Sequence, residues 1–182
     1  MDVRFLDRNQ RSSNLRSYTS SEVDVSLIIC TRDGCHRLAR CLEAVRHITF
    51  NRPWELIIVD NGSTDDTAAV VREFIKTTNV RAIYLFEPTP GKTNGLNTAL
   101  ETATGEILAF TDDDCYPAPE FLSQVWSAFD DPSVGYIGGR IMLRDPADHP
   151  ITVNESMTTV IFPAKSFCLR GVYSGRKHGP FD

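Results

Sequence analysis

The sequence predicts an α/β domain with a mostly parallel central sheet flanked by helices, on three observations. Four short apolar runs recur along the 182-residue chain, segments with a helical apolar stripe lie between them, and a polar cluster follows each run. Runs that are apolar without alternation are typical of strands buried on both faces. Strands of that kind alternating with helices need crossover connections, and so a parallel sheet.

The first 22 residues are polar, with Arg4, Arg8, Arg11 and Arg16 among Ser and Asn, and hold no sustained period. They read as a flexible arm. The runs Val25 to Cys30, Leu56 to Val59, Ile83 to Leu85 and Ile107 to Phe110 are the expected strands. Helical stripes follow in Leu38, Leu42, Val45, then Ala68, Val71, Phe74, Ile75, then Leu96, Leu100, Ala103, and finally Leu122, Val125, Trp126, Phe129. Each gives one apolar face suited to covering a sheet. Ser63 with Asp66 makes a capping-box-like start for the second helix, and Pro119 fits the first turn of the fourth. A fifth strand is expected over Val134 to Ile141, where Gly138 and Gly139 would admit a close backbone or ligand. Beyond Arg144 the periodicity fades into a loop-rich segment with one short helix near Ser156 to Val160.

Composition narrows the function. A length of 182 residues suits one domain of ordinary size. The net charge of −5, without a basic stripe, argues against non-specific nucleic-acid binding. Five cysteines contain no CxxC pair and leave one unmatched in any pairing, as expected of reduced thiols in a cytosolic protein. The four histidines lack metal-site spacing, and no apolar run approaches the ~20 residues needed to span a bilayer.

The strongest chemical signal is Thr111-Asp112-Asp113-Asp114, at the carboxyl end of an apolar strand. Adjacent carboxylates repel, and a cation or hydration must offset that. On an extended segment Asp112 and Asp114 point the same way and Asp113 elsewhere, so the outer pair can face one hard cation, Mn²⁺ or Mg²⁺. The competing reading is a solvated acidic turn before a helix. In a parallel sheet the other strand-end clusters join it along one edge: Thr31-Arg32-Asp33, Asp60-Asn61-Gly62-Ser63-Thr64-Asp65 and Pro90-Gly91-Lys92-Thr93-Asn94. Singly these are also a helix start, a turn with its cap, and a solvated lysine. Together they supply what a nucleoside diphosphate requires: a carboxylate (Asp60) for a base N–H, a cation (Lys92) for phosphate, and an acidic pair for a bridging metal.

These motifs, in this order and spacing, resemble family 2 glycosyltransferases of the GT-A fold, from about Val25 to Asp182. The resemblance implies a Rossmann-like core over residues 23 to 144 that binds a UDP- or GDP-linked sugar, and a partial acceptor-side segment over 145 to 182. It implies that Thr31 and Arg32 border the nucleotide, that Asp60 contacts the base and that Lys92 lies near the nucleotide. Asp112 to Asp114 would be the DxD motif, with Asp112 and Asp113 toward the nucleotide, Asp112 and Asp114 toward the metal, and Asp114 the firmest ligand. Gly138 and Gly139 would lie near the donor sugar or acceptor. The expected reaction is inverting transfer to an acceptor hydroxyl, in the cytoplasm at the inner face of the membrane.

In the family, the stretch resembling Gly179-Pro180-Phe181-Asp182 continues to a Glu-Asp pair whose acidic side chain is the base. Here the sequence ends at Asp182, and nothing around Glu155 matches that motif. The expectation is therefore a C-terminally incomplete, truncated domain with no assigned base, and a non-catalytic nucleotide-binding module is the alternative. A single glycine in Thr31 to Cys35 speaks against a nucleotidyltransferase loop, Tyr116 against a DxDxT phosphatase, and the lack of GxGxxG after Cys30 against a nicotinamide-binding domain.

Overall fold

A computed structural model describes residues 22–131 and 134–139. The strands are β1 (Val25–Thr31), β2 (Trp54–Asp60), β3 (Arg81–Phe86) and β4 (Ile107–Asp112), and the helices α1 (Cys35–Arg46), α2 (Thr67–Thr77), α3 (Lys92–Thr102) and α4 (Phe121–Ala128). The sheet order is β3-β2-β1-β4 with every pairing parallel. The chain thus steps outward from β1 to β3, then returns to the other side of β1. The point where the order reverses, between β1 and β4, is where open α/β sheets leave a crevice at their carboxyl ends.

The expected alternation holds because β1 and β2 are buried on both faces. On one face Leu27, Ile29, Leu56, Ile58 and Ala109 pack with Leu38, Leu42 and Val45 of α1, Val71 and Phe74 of α2 and Leu122 of α4. On the other, Ile28, Ile57, Val59 and Leu85 meet Leu96 and Ala99 of α3.

Three local expectations are corrected. Ser63 does not cap α2: its hydroxyl accepts from the Asp33 amide at 2.9 Å. Asp65 takes that role, accepting from the Thr67 amide at 3.0 Å and, with its other oxygen, from the Cys35 amide of α1 at 3.1 Å. Pro119 precedes α4, its carbonyl tied to Thr49 of the opposite loop. The expected fifth strand does not extend over Gly135 to Gly139, where Val134 alone makes an isolated bridge. Gly135, Gly138 and Gly139 weaken a strand by backbone entropy and lack of side-chain packing. The rest of that strand, the arm apart from Glu22, the short helix, Cys168, Glu155 and the segment 145–182 fall outside the described residues.

One carboxylate capping two helices makes Asp65 a target for acid. Hydrogen bonds from the Thr67 hydroxyl and backbone, and from Cys35, hold its pKa well below the ordinary carboxylate range. A depressed folded-state pKa stabilises above the unfolded value and is lost as pH falls toward the folded one. Asp65→Ala is expected to cost about 1–2 kcal/mol near neutrality, the worth of a helix cap. The deficit against the parent chain should shrink below about pH 4, as urea unfolding at a series of pH values would read.

Candidate nucleotide-binding cleft

A cleft of about 390 Å³ opens at the carboxyl end of the sheet, lined by Cys30, Thr31, Arg32, Arg37, Asn61, Gly91, Lys92, Asp112, Asp113 and Asp114. Of the residues expected from the sequence, Thr31, Arg32, Lys92 and the whole acidic triplet are brought together here.

Strand alternation distributes the triplet. Asp112 ends β4 on the face of α3, where its Oδ1 lies 2.5 Å from Lys92 Nζ. Asp113 continues the opposite face. Thr31 Oγ1 donates to its Oδ2 at 2.5 Å, and Arg37 Nη2 of α1 approaches the same oxygen at 3.4 Å. Asp114 lies past the strand, exposed, with the Cys115 thiol 3.7 Å from its Oδ1. Among the described residues no three His, Cys, Asp or Glu side chains gather closely enough to hold an ion unaided. Such a donor set still suits Mg²⁺ or Mn²⁺, which usually take one or two carboxylates and complete their shell with phosphate oxygens and water. Asp114, a hard oxygen donor committed to no cation, is the side chain best placed to begin that shell.

Asp60, expected to contact the base, is not among the residues lining the cleft. It ends β2 at the same edge, yet it is 1% exposed. Its Oδ1 accepts from the Ser63 amide and its Oδ2 from the Tyr84 hydroxyl, each at 2.8 Å. It shares a face of the sheet with Leu56 and Ile58, and its own turn and Tyr84 take both of its oxygens. Burial of the Tyr84 ring, with the hydrogen-bonded Asp60 carboxylate, pushes the tyrosine pKa up.

Sequence reasoning missed the parts that fix the cleft's shape. Asn61 donates to the carbonyls of Glu87 (3.2 Å) and Thr89 (2.7 Å) and accepts from the Gly91 amide (2.8 Å). Glu87, 1% exposed, accepts from the Thr89 amide at 2.8 Å and the Thr98 hydroxyl at 2.7 Å. These two buried side chains hold the loop that delivers Lys92, which Gly91 enters at φ 128°, a conformation suited to glycine. Cys30 also faces the cleft. Burial pushes its thiol pKa up to about 11, against the lowering effect of Lys92, so it is a poor nucleophile at neutral pH.

Gly34 is required by proximity. A Cβ there would collide with Asp113 Oδ2 and lie 2.6 Å from Thr31 Oγ1. Gly34→Ala should therefore force the Thr31–Asp113 pair apart, costing about 1–3 kcal/mol by overpacking. The shift of the urea-unfolding midpoint against the parent chain would read that cost.

Comparison with known proteins agrees with this geometry. The glycosyl transferase family 2 model matches residues 26–179. Glycosyltransferase AglE of Haloferax volcanii is 32% identical over 129 residues, 70% of this chain and 42% of that protein. The putative glycosyltransferase EpsH of Bacillus subtilis is 31% identical over 101 residues, 56% of this chain and 29% of that protein. Among solved structures, the mannosyltransferase PcManGT of Pyrobaculum calidifontis, in complex with GDP-Man and Mn²⁺, superposes with a TM-score of 0.58 at 28% identity. That match covers 70% of this chain and 38% of PcManGT. TarS 1–349 of S. aureus in complex with UDP-GlcNAc gives a TM-score of 0.50 at 28% identity, over 60% of this chain and 32% of that one. The chain thus spans less than half the length of these relatives. Its fold is the α/β GT-A fold, as the sequence predicts, and the chain belongs to glycosyl transferase family 2.

Proposed function

We propose that the chain carries the donor half of a metal-dependent, inverting glycosyltransferase that moves a sugar from a UDP- or GDP-sugar to an acceptor hydroxyl. The observation that carries the reading is the convergence of Asp112, Asp113, Asp114, Lys92 and Thr31 on one cleft at the switch point of the sheet. The bound GDP-Man with Mn²⁺ and UDP-GlcNAc in its structural relatives support it.

In this reading Thr31 and Arg32 border the nucleotide. Asp60 contacts the base, while its carboxylate also holds the Ser63 amide and the Tyr84 hydroxyl. Lys92, fixed by the Asn61 and Glu87 network, presents a point charge to phosphate. Asp112 holds Lys92, and Asp113 orients Thr31. Asp114, with Asp112, would hold Mn²⁺ or Mg²⁺, which when bound offsets the negative charge that grows on a departing diphosphate. The acceptor, its base and the sugar transferred are not assigned to residues of the cleft. No helix among the described residues is long and apolar enough to cross a membrane; a cytoplasmic location at the inner membrane face belongs to the same proposal.

Calorimetric titration of UDP and GDP, with and without Mn²⁺, tests the reading. Binding of one of them that strengthens at least tenfold with Mn²⁺ is expected. Binding indifferent to the metal, or none, would sink it. Coupling the titration to a sugar-transfer assay separates the readings, since metal-dependent binding without turnover favours the non-catalytic module.

A further inference from the structure

We propose that Arg37 is a diphosphate-binding residue of the cleft, and that it distinguishes nucleoside diphosphates from monophosphates. The inference rests on the nucleotide reading above and adds to it a residue that no motif marks. Arg37 sits in the first turn of α1, with its side chain 52% exposed and lining the cleft. Its contact among the described residues is the 3.4 Å approach of Nη2 to Asp113 Oδ2. Most of its fork of N–H donors is therefore unused by the described residues.

The other cations of the cleft are more committed. Lys92 lies 2.5 Å from Asp112, and Arg32 leans on its neighbour Asp33 at 3.6 Å. Asp113 does not depend on Arg37, because Thr31 donates to the same oxygen at 2.5 Å. Arg37 can turn to a ligand while Asp113 keeps its strongest partner, 13% exposed and held in place.

Charge and shape favour phosphate as that ligand. The three carboxylates of the triplet and Asp33 stand against Arg32, Arg37 and Lys92, so a divalent ion would leave this group of charges positive. The terminal phosphate of a nucleoside diphosphate supplies the missing negative charge. A planar guanidinium binds phosphate through two parallel N–H bonds, which an ammonium cannot do. Arg37 lines the same cleft as Asp114, the side chain best placed for the ion, so a diphosphate held there would lie within one pocket with both. The sequence hid this role, because Arg37 adjoins the buried stripe Leu38, Leu42, Val45 and reads as the solvent side of an amphipathic helix.

The test compares diphosphate with monophosphate on the whole chain: UDP against UMP, or GDP against GMP, whichever base the parent binds, with Mn²⁺ in both arms. Arg37→Ala should weaken the diphosphate about tenfold and the monophosphate less than about twofold, with Arg37→Lys in between for the diphosphate. An equal loss for both nucleotides would overturn the inference, since Arg37 would then act only by holding Asp113. Unchanged diphosphate binding in Arg37→Ala would overturn it while leaving the nucleotide reading intact. A parent chain that binds neither UDP nor GDP removes both.

Discussion

Asp114→Ala should abolish the Mn²⁺-dependent part of nucleotide binding, a loss of about tenfold or more, while leaving the fold unchanged. The magnitude follows from losing a ligand rather than a group behind it, since altering groups behind a ligand already costs about 10–100-fold in metal affinity. The choice of Asp114 over its neighbours is electrostatic. Asp112 is neutralised at 2.5 Å by Lys92, and Asp113 is pinned by Thr31 and approached by Arg37. Asp114 is exposed and faces a thiol, a weak partner. For the same reason its removal breaks no bond among the described residues beyond that thiol contact, and the urea midpoint should stay within error of the parent. Asp113→Ala, by contrast, should weaken UDP with and without Mn²⁺, because it releases Thr31 and the start of α1. Titrating UDP into both variants at zero and saturating Mn²⁺ separates the roles. An Asp114→Ala chain with the parent's Mn²⁺ dependence would move the ion elsewhere.

The strands and helices were legible because their signals are local. Ile28, Ile57 and Val59 lie in unbroken apolar runs, and such runs fit only a sheet covered on both faces. The split of the triplet was legible too, because the pleat alone sends Asp112 and Asp113 to opposite sides. What could not be read was who bonds with whom across loops. Capping rules assume that a helix is capped by its own preceding residues, whereas Asp65 serves both α1 and α2 and Ser63 serves Asp33. Asn61 and Glu87 have no sequence signature for their role: an Asn in a turn and a Glu after a strand are ordinary surface residues until folding closes a loop over them. The same blindness hid a carboxylate at the other end of the sheet.

Glu55→Ala should be the most destabilising of these substitutions, at roughly 3–5 kcal/mol. Glu55 is the second residue of β2, a place where a charged side chain ordinarily reaches water, yet it is fully buried. Register places Ser26 of β1 on one side of it and Arg81 of β3 on the other. Its Oε1 accepts from the Ser26 hydroxyl at 2.8 Å and from the Thr104 amide and hydroxyl at 2.8 and 2.9 Å. Its Oε2 has no hydrogen-bond partner among the described residues, with Arg81 Nε at 3.7 Å as its counter-charge. Ser26 in turn accepts from the Gly105 amide at 2.9 Å, so one carboxylate ties β1, β2 and the turn that launches β4. Truncation would leave the Ser26 hydroxyl and the Thr104 amide without their acceptor and open a cavity beside them, whereas Glu55→Gln keeps an acceptor and should cost only about 1–2 kcal/mol. At an m-value of about 2 kcal/mol/M the alanine variant loses at least about 1.5 M in urea midpoint. That is a large share of the ~5–15 kcal/mol that holds a domain of this size together. A loss below about 1 kcal/mol would mean that water enters and replaces the carboxylate. Because this knot lies at the opposite end of the strands from the cleft, the folded fraction of Glu55→Gln should bind UDP and Mn²⁺ as the parent does, which separates what holds the sheet from what reads the nucleotide.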